Sequence, residues 1–237
     1  MGRGNSEKFD SCNICDPLPA EAILIIGAGY FGRRAAKILN RSPFQGKPLF
    51  IIDSDKDHLS NVEGAFLERI LCDGIQFLVK NFQLLHPSNM IIPAVPFHFA
   101  YEFLKNYSCK STSIKKLKVP EGIKPSLPHT WEGSDGSLLV SYADFTCPVD
   151  CPEPSSHCTV TGEKRGKPLN QLLAQLDIKG YRLHFIRSRQ LAPGLGGYKV
   201  DDLGKLITRV EQEECEKWLV GTACRCHGTI TAFSVHS

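Results

Sequence analysis

The chain has 237 residues, 42% of them hydrophobic and 22% charged, with a formal net charge of +3. That length accommodates one large domain or two small ones with a true core. The charge is too weak to argue for nucleic acid or an anionic membrane as a partner, and no apolar run approaches the ~20 residues needed to cross a bilayer.

The chain opens on MGRGNSEKFDSCNICD, a polar stretch lacking the apolar core of a secretory signal. Gly2 with Ser6 makes a loose match to a myristoylation pattern. The expected compartment is the cytoplasm. There the ten cysteines are expected to serve as core thiols, metal or cluster ligands or redox groups rather than as structural disulfides. Cys12 and Cys15 form a C-x2-C that reads as a redox pair, half of a metal site, or two ordinary thiols. Residues 1–19 are taken as a tail.

Residues 22–53 read AILIIGAGYFGRRAAKILNRSPFQGKPLFIID. The apolar run Ala22 to Ile26 suits a buried parallel strand. Phe31, Ala35, Ile38 and Leu39 then recur with helical period, and a second apolar run, Leu49 to Ile52, ends at Asp53. Gly27, Gly29 and Gly32, with Tyr30 and Phe31 among them, open the helix. Gly27 permits a tight turn, Gly29 admits a diphosphate to the backbone, and Gly32 allows close helix–strand contact. The diphosphate would meet free N–H groups at the helix N-terminus. Asp53, 21 residues after Gly32, is placed to accept hydrogen bonds from a ribose.

This half resembles the NAD(P)-binding Rossmann family. ILIIGAGYFGRRAAKIL and FIIDSD look most like the nucleotide-binding regulatory domains of potassium channels and transporters. The resemblance spans roughly residues 20–105 and implies a parallel sheet and a dinucleotide ligand. Asp53, with Asp55 behind it, would repel a 2′-phosphate and so favours NAD over NADP. RILCDG (69–74) suggests a third strand ending at Asp73, which in similar domains approaches the adenine. SNMIIPAVPFHFAYEFLK (88–105) suggests a fourth strand, a turn and a helix. His98 in that turn reads either as a general acid or base facing the nicotinamide or substrate, or as a residue capping its helix.

Lysines and prolines over 110–128 read as a solvated connector. A strand over 137–145 then runs into FTCPVDCPEPSSHCT. A helix (168–176), a strand (181–190), a helix (200–212) and the closing segments WLVGTAC and TITAFSV follow. Cys147, Cys151 and Cys158 follow one strand end, and Cys224 and Cys226 another. If those strands are parallel neighbours, four thiolates gather for a [4Fe-4S] cluster or Zn²⁺. The spacing C-x3-C-x6-C then C-x-C matches neither a ferredoxin nor a zinc ribbon, so the absence of any metal stays open. His157 and His227 are reserve ligands. Cys72, Cys109 and Cys215 carry no pattern and read as ordinary thiols. In HFIRSRQLAPGLGGY, Arg187 and Arg189 continue one strand face into a glycine-rich turn and offer guanidiniums to an anionic small molecule.

The expected architecture is α/β: a Rossmann-type parallel sheet over 20–110, a connector over 111–135, and a smaller α/β unit with a cysteine-rich loop over 136–237. The expected function is an NAD-binding oxidoreductase-like protein with a cysteine-ligated iron–sulfur or metal site. The alternatives are a non-enzymatic NAD(H) or redox sensor, and a zinc-stapled Rossmann protein binding another nucleotide. A homo-oligomer is compatible with the sequence.

Overall fold

A computed structural model describes residues 12–41, 43–64, 66–107 and 113–236. The Gly2 motif and Cys109 lie outside the described residues. The protein is mixed α/β with both parallel and antiparallel strands. Chain contacts divide it into two compact units between Ala94 and Val95, so the helix that follows His98 goes with the second unit.

The first unit alternates strand and helix. β1 (Ile23–Ile26), α1 (Tyr30–Leu39), β2 (Leu49–Asp53), α2 (Lys56–Ser60), β3 (Leu67–Leu71), α3 (Gly74–Asn81) and β4 (Met90–Pro93) follow in order. The strands are parallel and lie in the order β3-β2-β1-β4, with Ile23 opposite both Leu49 and Met90. All four residues of β1 are buried. Such a strand needs apolar side chains on both faces, which is why ILII does not alternate. Ala35, Ala36 and Leu39 of α1 are buried, as the helical period requires. Phe31 instead stands outward at 60% exposure, a departure from the expected stripe.

Cys12 is disulfide-bonded to Cys72 across 60 residues. This corrects the expectation that neither is paired: Cys72 follows β3, and the segment before β1 runs back to meet it. Asn81 fixes that segment, donating from Nδ2 to the Cys12 carbonyl at 2.7 Å and accepting from the Ile14 N–H at 3.0 Å.

The second unit contains α4 (Phe99–Tyr107), β5 (Ser113–Leu117), β6 (His129–Glu132), β7 (Leu138–Ser141), α5 (Leu169–Leu173), β8 (Arg182–Arg187), β9 (Arg189–Ala192), β10 (Leu195–Lys199), α6 (Val200–Gln212), β11 (Lys217–Ala223) and β12 (His227–His236). The region read as a connector therefore holds two strands. Five strands lie in the order β6-β7-β12-β11-β8, and β5 also pairs with the long β12. Among the described residues, only the β8–β11 pairing of this sheet is parallel. On one face Leu219, Ala223, Ile230 and Ala232 meet Leu169 and Leu173 of α5. On the other, Trp218 stacks with Phe233, and Phe233 meets Tyr101 of α4. The single strand expected over 181–190 is two: Ser188 ends β8, and β9 starts an antiparallel hairpin with β10.

Candidate functional site

The glycine turn is built from β1 and β2 together. The Gly27 N–H donates to the Ile52 carbonyl at 2.8 Å, and the Ala28 N–H donates to Asp53 Oδ2 at 2.5 Å. Asp53 Oδ1 accepts from the Asp55 N–H at 2.8 Å, so both oxygens hold the loop in shape. Gly27 has φ +99°, which favours glycine. A Cβ on Gly32 would lie 1.8 Å from the Gly27 carbonyl oxygen, so only hydrogen fits. At Gly29 a Cβ would meet nothing within 4 Å. Two glycines are thus demanded by the chain itself, and the third is not.

Tyr30 and Phe31 lie at the start of α1, each 60% exposed, their rings 5.1 Å apart and edge to face. Asp73 is the N-cap of α3, its Oδ1 accepting from the Gln76 N–H at 2.9 Å. β3 ends at Leu71, two residues earlier than the expected strand end.

His98 is not an accessible acid or base. Its ring is buried, with Nδ1 2.8 Å from Thr231 Oγ1 and Nε2 3.2 Å from Thr222 Oγ1. Burial first, with Lys116 also disfavouring the cation, pushes its pKa down to about 3, against the pull of Asp135. The ring therefore clamps β11 to β12 from the start of α4. Its backbone N–H donates to Asp135 Oδ2 at 3.0 Å. Burial works against the Asp135 carboxylate, but hydrogen bonds from Ser137 and His98 and the nearby Lys116 outweigh it and hold the pKa at about 2. Of the two readings of His98, this burial and these partners favour a structural one. The sequence reading missed its hydroxyl partners because Thr222 and Thr231 lie more than 120 residues away.

The cysteine segments do meet at one sheet edge, by a different route from the one expected. The strands before them, β7 and β11, are not neighbours. β12 lies between them and is antiparallel to both, so β7 and β11 point the same way. Ser141 is opposite His227, and the Tyr142 N–H donates to the Cys226 carbonyl at 3.0 Å. Cys147, Cys158 and Cys226 line one cavity of about 150 Å³ together with Arg165. Cys151 is close enough to raise the pKa of both Cys147 and Cys226, behind the larger effect of burial.

Backbone donors wrap two of the sulfurs. N–H groups of Thr161 and Val160, with the Thr161 hydroxyl, lower the pKa of Cys158. The Cys226 and His227 N–H groups favour a Cys224 thiolate too, but burial and Glu153 push that thiol up to about 12. Arg165 Nη1 donates to Cys226 Sγ. Cys226 is thus the member of the C-x-C turned toward the other thiols, and Cys224 faces Glu153. Among the described residues no group of three or more His, Cys, Asp or Glu is arranged to hold a metal ion as it stands. His157 and His227 are exposed. Cys15 is a free, exposed thiol.

Arg187 ends β8 and lines a second cavity with Arg225 and Arg189. Arg189 Nη1 is held by Asp202 Oδ2 at 2.9 Å. Arg225, between Cys224 and Cys226, was missed because the sequence reading grouped that turn by its thiols alone.

No described helix is long and apolar enough to cross a membrane. No solved structure matches the chain. An uncharacterized protein of Archaeoglobus fulgidus is 32% identical over 226 residues, covering 88% of this chain and 97% of that protein. A family model described as an uncharacterized protein, C-terminal domain, matches residues 97–236, which takes in the His98 clamp and all five cysteines of the sheet edge. The chain belongs to this AF_1314_C family.

Proposed function

We propose that the protein is a cytoplasmic NAD-binding redox protein, with a Rossmann-type first unit and a thiolate-ligated iron–sulfur cluster or zinc ion in the second. The observation that carries the nucleotide half is Gly29. Gly27 and Gly32 have internal reasons to be glycine, whereas a Cβ at Gly29 would meet no non-neighbouring atom within 4 Å. A glycine without an internal reason, between a buried parallel strand and a helix start, suits close approach by a diphosphate. The strand order β3-β2-β1-β4 supports the same reading. Asp53 would serve twice, holding the loop and offering its carboxylate edge to a ribose.

For the second unit, the reading rests on Cys147, Cys151, Cys158 and Cys226 at one sheet edge. N–H groups favour the Cys158 thiolate, the ligating form, and at Cys226 burial raises the pKa while the Arg165 guanidinium partly offsets it. Ligation requires the four sulfurs to close in around the cavity. The bound group would supply electron transfer if a cluster, or cross-linking of the two loops if zinc.

The buried His98 favours a second reading, a dinucleotide or redox sensor, because the residue expected to do acid–base chemistry is committed to the core. The test is titration of the purified protein with NAD⁺ and NADH by calorimetry. Wild type is expected to bind and Gly29→Val to fold but not bind; equal binding by both overturns the nucleotide reading. Anaerobic purification with metal and sulfide analysis tests the second unit. Protein free of iron and zinc, or a metal content unmoved by Cys147→Ser, overturns it.

A further inference from the structure

We propose that Arg187 and Arg225 form a binding site for a small multivalent oxyanion, a ligand apart from both the dinucleotide and the metal. Among the described residues β8 and β11 are the one parallel pair in their sheet, with Arg187 opposite Ala223 at their carboxyl ends. Open α/β sheets bind ligands at the carboxyl ends of parallel strands, because the loops that follow diverge and leave a crevice there. Ser188 donates its N–H to the Ala223 carbonyl at 2.8 Å, which fixes the two strand ends side by side. Arg225 follows two residues after β11, so this register delivers both guanidiniums to one place.

They line a cavity of about 410 Å³, within the roughly 300–1,000 Å³ of small-molecule sites. Neither guanidinium makes an ion pair with a carboxylate among the described residues. The carboxylate that lines the cavity, Glu153, is already used: Oε1 accepts from the Arg225 backbone N–H at 2.5 Å. Glu153 sits at φ +51°, in the left-handed region that a non-glycine residue adopts at a cost. That strained residue fixes the Arg225 turn. Arg189 also borders the cavity, but its charge is taken up by Asp202, which in turn accepts from the Lys199 N–H at 2.9 Å. The amides of Asn170 and Gln171 add neutral donors to the lining. Two planar guanidinium forks plus amide donors fit an anion with several oxygens, a phosphoryl or sulfuryl group or a dicarboxylate. A monovalent halide offers no geometry for the forks.

The test is calorimetric titration of the full chain with inorganic phosphate, sulfate and succinate. At least one of these binds; preference for the first two marks a tetrahedral ligand, and preference for succinate a dicarboxylate. Arg187→Gln and Arg225→Gln each weaken binding by about tenfold or more, while Arg189→Gln changes it by less than about threefold. Arg187→Lys and Arg225→Lys keep the charge but lose the fork, and fall between. Thermal unfolding of each variant shows that it is folded before it is titrated. No binding by any of the three anions overturns the proposal. So does binding unaffected by Arg187→Gln and by Arg225→Gln. Phosphate binding lost in Gly29→Val but kept in Arg187→Gln would put the anion at the glycine turn instead, and would also overturn it.

Discussion

Acidification tests whether His98 is a structural clamp. Its ring is buried between two threonine hydroxyls, and its pKa is lowered from 6.5 to about 3. The folded protein therefore holds the neutral ring at pH values where the unfolded chain binds a proton. The stabilisation is fully present above the unfolded value of 6.5 and is lost progressively as pH falls toward 3. At pH 5 the unfolded histidine is almost wholly protonated and the folded one almost wholly neutral. The gap of about 1.5 pH units below 6.5 corresponds to about 2 kcal/mol.

His184 adds to this on β8. Burial, then Arg209, lower its pKa to about 4, against the opposing pull of Asp202 and Glu213. It contributes about another 2 kcal/mol at pH 5 by the same arithmetic. Asp135 acts in a separate window. Its pKa lies near 2 rather than 3.8, so its contribution is present above 3.8 and lost only below it. Urea unfolding followed by tryptophan fluorescence reads Trp218, which lies on the sheet face toward α4. The urea midpoint should hold level from pH 8 to about 6.5 and then fall by the equivalent of about 4 kcal/mol down to pH 5, with constant slope. His98→Gln should be less stable at pH 8 and lose about half of that pH dependence. A midpoint flat between pH 8 and 5, or a His98→Gln profile parallel to wild type, would refute the clamp.

Gly32→Ala should destabilise the protein by about 2 kcal/mol or more, because its Cβ would collide with the Gly27 carbonyl, whereas Gly29→Ala should change stability by less than about 1 kcal/mol; urea titration of both variants checks the contrast. Reduction of Cys12–Cys72 opens a loop spanning 60 residues and should lower stability by up to about 4 kcal/mol; identical midpoints with and without reductant, in protein shown by mass to be oxidised beforehand, would remove the bond from the account. In metal-free protein at pH 8, iodoacetamide should modify Cys158 ahead of Cys147 and Cys224, since hydrogen bonds lower the first thiol's pKa and burial raises the other two; peptide mass mapping over time gives the order.

The first unit was legible because its rules are local. A strand buried on both faces must be apolar throughout, a turn at positive φ favours glycine, and a helix shows its inner face every three or four residues. Gly27, Asp53 and β1 through β4 follow from neighbours in sequence. The second unit was less legible because its decisive contacts are long-range. β5 and β7 both pair with β12, and nothing local tells a reader that a ten-residue strand will take two partners on one side. His98 shows the consequence. A histidine in a proline-rich turn after a parallel strand looks the same whether it faces a ligand or a core, and threonines far along the chain decide between them. Arg189 shows the converse: alternation put it on the Arg187 face, but Ser188 ends the strand and Asp202 takes the charge.

The same long-range geometry links the two candidate sites of the second unit. Cys224, Arg225 and Cys226 occupy the single turn between β11 and β12, and Arg225 borders both the thiol cavity and the arginine cavity. Glu153, from the loop that carries Cys151 and Cys158, accepts from the Arg225 N–H and helps hold the Cys224 thiol neutral. On the other side of that loop, the Cys151 carbonyl accepts from the Gly194 N–H and from Gln190 Nε2, both at 2.9 Å. Moving the cysteine loop to close on a metal must therefore move Glu153, and with it the turn that presents Arg225. Anion affinity measured with and without metal reads that linkage directly, and by thermodynamic reciprocity metal affinity must shift by the same factor when the anion is bound.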